Sequence, residues 1–389
     1  MTPATASERT VHRGRLLVTS HYWQPHTGGI ETVAAAHAEA LVARGWSVAA
    51  HSARTEPSTP ERERHGDFEL RRHRAWNPLE QRFRVPVPFP TPGVTARLRV
   101  AAGGCDVIMS HGHVYPMTVA AARAADQARR PFVVMQHSPF VDYPRPIETI
   151  ERVADRVVGR WVLERADLVL CVSQFTEAYV RSIAPRATTT VVPNGVDCTR
   201  FTVGRDRPDT GSVRFVCVRR LVPRNGVDLL LEAWRTAAVG DRATLTIAGD
   251  GPERASLERR ARDLPGVTWL GRVDDESLVR LLQDAHASIV PTRSGEGFGL
   301  VAAESHACGT PVVATAQGAL PEVVRNGVDG LVVPPASPRA LACAISLLVD
   351  DAGMRERLAA GARRTDWSWD GVADQLDAIL QRFVALRRR

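Results

Sequence analysis

Arg293-Ser-Gly-Glu-Gly-Phe-Gly-Leu-Val-Ala-Ala-Glu-Ser-His-Ala-Cys-Gly309 lies between two short apolar runs, Ala287–Val290 and Val312–Thr315. Such runs, uncharged and bounded by turn residues, read as buried strands. Between them, residues 291–299 form a loop with three glycines in its last five positions, and residues 300–308 read as a short helix. Gly309 past its end and Pro311 beyond are ordinary stop signals. Strand, glycine loop, helix start and strand is a layout that suits an anion. The free N–H groups of a first helical turn carry partial positive charge, and glycines let a ligand approach the backbone. Glu296 in the loop and Glu304 one turn into the helix, with seven residues between them, frame the stretch. Gly295-x-Gly297-x-Gly299 is not the dinucleotide fingerprint, whose third glycine comes one residue later. On local chemistry alone, a ligand cradle and a tight turn with a dipole-favoured glutamate are both consistent with it.

A chain of 389 residues exceeds one ordinary core, so two domains are expected. A hydrophobic share of 44% with 24% charged residues fits a globular protein, and no apolar run approaches a membrane span. Residues 1–13 lack the apolar core of a signal peptide and read as a disordered lead, which gives a cytoplasmic expectation. The six cysteines are scattered without a CxxC pair, as expected for reduced thiols rather than a disulfide framework or a zinc site.

No lysine occurs, so all 50 basic residues are arginine. That points to a GC-rich genome and excludes a pyridoxal-phosphate Schiff base, an amine nucleophile and a Walker-type loop. Any phosphate must be held by arginine, histidine, backbone N–H groups or a metal. The formal charge of +7 is spread along the chain rather than gathered in a stripe with aromatics, which argues against nucleic acid. Anionic small substrates, or loose attraction to an anionic membrane surface, account for it equally well.

Taken in order, βα alternation begins with an apolar strand at 16–20, a loop containing Gly28-Gly29, a helix at 31–44 and a strand at 46–51. Residues 56–93 are rich in Pro and Arg and read as surface loops with short strands, where an acceptor could be recognised. Further strands at 106–110 and Phe132–Gln136 are each followed by histidines: His111, His113 and His137. In open α/β sheets ligands gather at those carboxyl ends. A long amphipathic helix is expected at 147–165, and a helix Gln174–Ile183 capped by Ser173. Residues 202–211 read as a linker, after which strand 214–218, loop 219–226 and helix Val227–Ala237 restart the alternation. An amphipathic helix is expected at 368–387. The domain expectation is therefore 1–204, 212–366, and a final helix within 367–389.

Several of these segments together resemble the retaining glycosyltransferases of family 4. The central stretch is similar to that family's Glu-(seven residues)-Glu signature. Pro25-x-x-Gly-Gly-Ile-Glu31, the run 166–197 ending Pro-Asn-Gly-Val-Asp, Arg220-Leu221, and Gly249-x-Gly-Pro252 match as well, so the resemblance covers nearly the whole chain outside the lead and residues 56–93. The fold it implies is GT-B, an α/β architecture of two doubly wound Rossmann-like domains facing a cleft. The activity it implies is transfer of a sugar, with retention, from a nucleoside diphosphate sugar (UDP-sugar favoured, GDP-mannose next) to an acceptor hydroxyl. By the same resemblance, Glu304 binds the ribose, while Glu296, Gly297, Phe298, Gly299, Leu300 and His137 meet the donor sugar. Gly28 and Gly29 reach the donor phosphates, and Arg272 and Val273 lie by the nucleobase. His111 and His113 fall on the acceptor side.

Family members usually show Gly-Arg-Leu followed by Glu-Lys-Gly, whose Arg and Lys clamp the diphosphate. Here Arg220 matches the Arg, but Asn225 stands at the Lys position and Arg224 at the Glu position. Arg224 is expected to replace the missing Lys, with Arg219 as the rival. No Asp-x-Asp pair occurs, so a metal-independent reaction without cofactor is expected, and the absence of an evident carboxylate nucleophile fits a front-face substitution. An epimerase on the same fold, or a nucleotide-sugar-binding protein without catalysis, remain the alternatives. The hydroxyl-bearing acceptor that the resemblance implies is a small molecule, a lipid or a polysaccharide.

Overall fold

The computed structural model describes residues 12–26, 28–78, 80, 87–138, 147–204 and 211–388. Parts of the expected lead and linker, and of the segments after Asn77 and His137, lie outside them.

The first half builds a sheet from β1 (Gly14–Thr19), β2 (Trp46–Arg54), β3 (Arg62–His65), β4 (Phe68–Trp76), β5 (Phe89–Pro90), β6 (Val107–His111), β7 (Phe132–Gln136), β8 (Leu168–Cys171) and β9 (Thr189–Val191). Its order is β3-β4-β2-β1-β6-β7-β8-β9, with β5 paired to β4. Apart from the antiparallel β3 and β5, neighbouring strands run parallel. Leu16, Leu17 and Val18 are consecutive and all fully buried. That is the signature of a parallel strand covered by helices on both faces, where no residue can point to water.

The second half repeats the design with β10 (Val213–Val218), β11 (Ala243–Ala248), β12 (Val267–Gly271), β13 (Ala287–Val290), β14 (Val312–Thr315) and β15 (Gly330–Val333). All are parallel, in the order β12-β11-β10-β13-β14-β15. The direction of winding reverses between β1 and β6 in one sheet and between β10 and β13 in the other. At such switch points the loops leaving adjacent strands diverge and open a crevice.

Two expectations are corrected, and one further helix is added. The described part of residues 56–93 is not mainly surface loop, because β4 is a nine-residue strand paired in parallel with β2. Its charged run hides it. Arg72 is buried, but its guanidinium donates to Glu63 at 2.7 Å and to the Gln24 carbonyl at 2.5 Å, so its charge is met inside. The stretch 94–103 is helical (Val94–Gly103), which was not foreseen. The helix expected over 147–165 is broken by a π turn, Asp155–Gly159, between Ile147–Ala154 and Arg160–Leu163.

The final helix, Trp369–Arg388, returns to the first sheet's domain. Arg44 reaches Asp374 at 2.8 Å, and the Trp46 indole donates to Asp377 at 2.7 Å. Just before it, Val196 N–H donates to the Trp367 carbonyl at 2.6 Å, so the chain crosses between domains twice, side by side. No described helix is long and apolar enough to cross a membrane.

Candidate functional site

The loops after β10 and β13 meet because their strands are neighbours. Residue 226 must be glycine there: its φ is 69°, and a Cβ would stand 2.0 Å from the Pro291 carbonyl oxygen. The close approach lets Arg224 O accept from Arg293 N at 2.7 Å.

Arg219, first in the β10 loop, turns its guanidinium across the gap. Its Nη2 lies 2.8 Å from Glu296 Oε2, 2.9 Å from Thr292 Oγ1 and 2.9 Å from Asn225 Oδ1. Both charged side chains are largely buried, with 9% and 15% exposure. Asn225 in turn donates to the Arg220 carbonyl at 2.7 Å, fixing the loop from within. Arg220 itself is exposed, and its side chain makes no hydrogen bond or ion pair with the described residues. Arg224 points elsewhere, lining an open groove of about 390 Å³ with Asp228, Glu253, Arg293 and Ser294.

The glycine stretch touches the other domain. Gly297 O accepts from Ser173 Oγ at 2.7 Å and from Thr176 Oγ1 at 3.1 Å. A Cβ on Gly297 would sit 2.0 Å from the His137 carbonyl oxygen, so only glycine fits the seam. Gly299 caps the helix Leu300–Ala307 with φ 100°, and Phe298 is buried edge-on against Trp367. Gly28 caps the helix Gly29–Ala43, and the nearest neighbour of a Cβ on Gly29 would be Leu300 Cδ1 at 3.8 Å. Two helix N-termini, one per domain, thus converge at the same place.

His137 and His111 are brought together: Nε2 and Nδ1 lie 2.9 Å apart and the rings stack. His37 approaches His111 at 5.6 Å between centroids. Burial holds His137 and His37 at about 3 and His21 at about 4, and places His111 well below the ordinary imidazole range. These rings are neutral at physiological pH, so His137 can serve as a hydrogen-bonding wall but not as a cation. His113 is not part of the stack. Its ring nitrogens are taken by Gln136 Oε1 at 2.8 Å and Asp155 Oδ1 at 2.7 Å, and Tyr179 also donates to Asp155. It bolts the loop after β6 to the π turn.

Glu304 is half-buried in the helix Leu300–Ala307, without a protein hydrogen bond to its carboxylate among the described residues. Desolvation raises its pKa to about 7, opposed by Arg200 and reinforced by Asp275. It is therefore an under-satisfied acceptor pair, the kind of group that takes hydroxyl donors from a ligand. Arg272 and Val273 follow β12 on the same sheet edge, with β11 between that strand and β10. Ser173 caps the helix Gln174–Ile183 as expected, accepting from Thr176 N. Its second bond to Gly297, and the presence of Thr292 and His37, carried no local signal because they depend on tertiary contact.

Residues 27–200 match the family model described as Glycosyltransferase Family 4, and residues 204–365 the model for Glycosyl transferases group 1. A GDP-mannose-dependent alpha-(1-6)-phosphatidylinositol monomannoside mannosyltransferase of Mycobacterium tuberculosis is 30% identical over 324 residues, covering 76% of this chain and 81% of that protein. A glycogen synthase of the same organism is 33% identical over 240 residues, 59% of this chain. The match spans only 57% of that synthase's length. Among solved structures, sucrose-phosphate synthase from Thermosynechococcus elongatus superposes with a TM-score of 0.77 at 23% identity, over 96% of this chain and 99% of that one.

Proposed function

The chain belongs to the glycosyltransferases of family 4, with the GT-B fold, and on that premise we propose that it transfers a sugar from a nucleoside diphosphate sugar to an acceptor hydroxyl with retention of configuration. The observation that carries this reading is the Arg219–Glu296 contact at the second switch point, with Gly297 in the same loop pressed against the His137 carbonyl of the other domain. Charge, glycine backbone and both domains converge within one seam.

In the proposed reaction the bond from the anomeric carbon to the diphosphate oxygen breaks, and the acceptor oxygen bonds to the same face of that carbon. The departing phosphate oxygen takes the acceptor proton. Arg220 and a second cationic ligand from residues 219–224 stabilise the leaving charge, and no metal is needed. Preorganised donors of this kind act where charge develops. Glu296 accepts from sugar hydroxyls and Glu304 from the ribose, with His137 walling the sugar side. His111 lies beside it, toward the acceptor. UDP-sugars are the favoured donors, and GDP-mannose, which the names of several relatives specify, is the second. The proposed site of action is the cytoplasm, at a membrane surface if the acceptor is a lipid.

The test is a thermal-shift panel of UDP, GDP, ADP, dTDP and their sugars, with and without magnesium, followed by assay of nucleoside diphosphate release. A ligand at 100 times its Kd stabilises by about 2.7 kcal/mol. A metal-independent shift with one nucleotide, lost in Glu304→Ala, and sugar-dependent turnover are expected. A shift without turnover would instead leave a binding protein, and no shift at all would overturn the reading.

A further inference from the structure

We infer that Arg219, rather than Arg224, is the second diphosphate ligand of this site, and that one guanidinium serves both the leaving phosphate and the sugar-binding carboxylate. The inference deepens the donor reading above and rests on it.

The position is built. Arg219 N–H donates to Ala248 O at 3.0 Å, and its carbonyl lies against Gly249, where a Cβ would stand only 1.9 Å away. The backbone is therefore pinned at the carboxyl end of β10, and the side chain leans toward the loop after β13. There Nη2 alone serves Asn225, Thr292 and Glu296. Nε is buried with no partner, and Nη1 has no acceptor among the described residues. A largely buried guanidinium with unmet N–H groups forfeits charge-assisted bonds unless a ligand supplies them. Nη2 belongs to both guanidinium forks and is already engaged, so Nη1 is the donor left to turn toward a phosphate oxygen.

Asn225 explains why the charge comes from residue 219. It is itself uncharged, and its Oδ1 accepts from the Arg219 guanidinium, so a cation reaches the front of residue 225 from the opposite side of the loop. Arg224 has different company. Its groove also holds the carboxylates of Asp228 and Glu253, and Arg293 in that groove is paired with Asp228. Two carboxylates there oppose a diphosphate. On the Arg219 side the carboxylate in contact is Glu296, which the same guanidinium holds.

Calorimetric titration of UDP, GDP, uridine and guanosine tests this in the full chain. Arg219→Ala is expected to weaken the bound diphosphate by about 10–100-fold while leaving its nucleoside within a few-fold. Arg219→Gln, which can still donate to Glu296, is expected to show the same selective loss and covers a folding failure of the alanine variant. Asn225→Lys in the Arg219→Ala background is expected to restore most of the affinity, which a purely structural role would not allow. Equal weakening of nucleoside and diphosphate, an unchanged diphosphate Kd, or a larger loss in Arg224→Ala than in Arg219→Ala would overturn the assignment. A wild-type protein that binds no nucleoside diphosphate would instead remove the donor reading, and this inference with it.

Discussion

Arg219 Nη2 and Glu296 Oε2 meet at 2.8 Å across the switch point of the second sheet, joining residues 77 apart in sequence. Removing one member of a largely buried pair leaves the other charge without its partner. Glu296→Gln is therefore expected to lower stability by about 2–3 kcal/mol, somewhat less than for a fully buried pair because both groups keep slight exposure. A shift of the urea midpoint with unchanged m-value would register it, and an unshifted midpoint would mean that the pair contributes nothing to folding.

Arg220 presents the opposite case. It is exposed and holds no described partner, so Arg220→Ala should leave the melting temperature unchanged. The proposed role predicts a fall in kcat of about 10²–10³-fold. Intact turnover would take Arg220 out of the leaving-group chemistry.

Ser173 works in both domains, capping the helix Gln174–Ile183 and donating to Gly297 O. Loss of a cap costs about 1 kcal/mol, and loss of a hydrogen bond about as much again. Ser173→Ala should thus cost about 2 kcal/mol, and Ser173→Gly less on the cap alone. Because the second bond crosses the seam, donor KM should rise with the stability loss, measured by initial rates in parallel with melting.

The buried imidazoles predict acid sensitivity. His21, His37, His51 and His137 sit at about 4, 3, 3 and 3 in the fold against 6.5 unfolded, chiefly through desolvation. Below 6.5 the unfolded chain takes up protons that the folded chain refuses, so stability present at neutral pH is lost as pH falls. Four such groups give a slope of up to about 5 kcal/mol per pH unit below pH 6. Denaturant titrations at pH 7.5, 6.5 and 5.5 would show it, and a flat profile would mean that the rings are hydrated.

Glu304 has the reverse sign. Its carboxyl is raised from 4.5 to about 7, so between those values the folded state keeps a proton the unfolded state has lost, and stability declines as pH rises. Glu304→Gln should therefore be more stable than wild type at pH 8, by at most about 3 kcal/mol, with no difference at pH 4. The same substitution should weaken nucleotide binding at pH 8, separating a ligand role from a structural one.

Much of this was legible in the sequence because glycines and apolar runs report local constraints. Ala287–Val290, the 295–299 glycines and helix Leu300–Ala307 could be read from composition, since each is dictated by its own residues. Strand Phe68–Trp76 could not, because Arg71, Arg72, His73 and Arg74 suggest water, while Glu63 and a loop carbonyl receive the Arg72 charge inside. The helix break at Asp155 was equally silent. Its inward carboxylate is explained only by His113 and Tyr179, which come from elsewhere in the chain. His113 itself looked like a site residue because strand ends attract attention, yet its nitrogens are engaged in that bolt.

The doubled crossing between the domains restricts how the cleft can move. Residues 196 and 368 run side by side, and the final helix is clamped to the first domain by Arg44, Trp46 and Asp106. A single tether permits swivel and twist, whereas two adjacent strands behave like a door hung on paired pins. Two adjacent crossings resist swivel more than one does, which favours a single register of Gly297 against His137. Fidelity of assembly at the seam is then a property of the chain's path, independent of whatever fills the cleft.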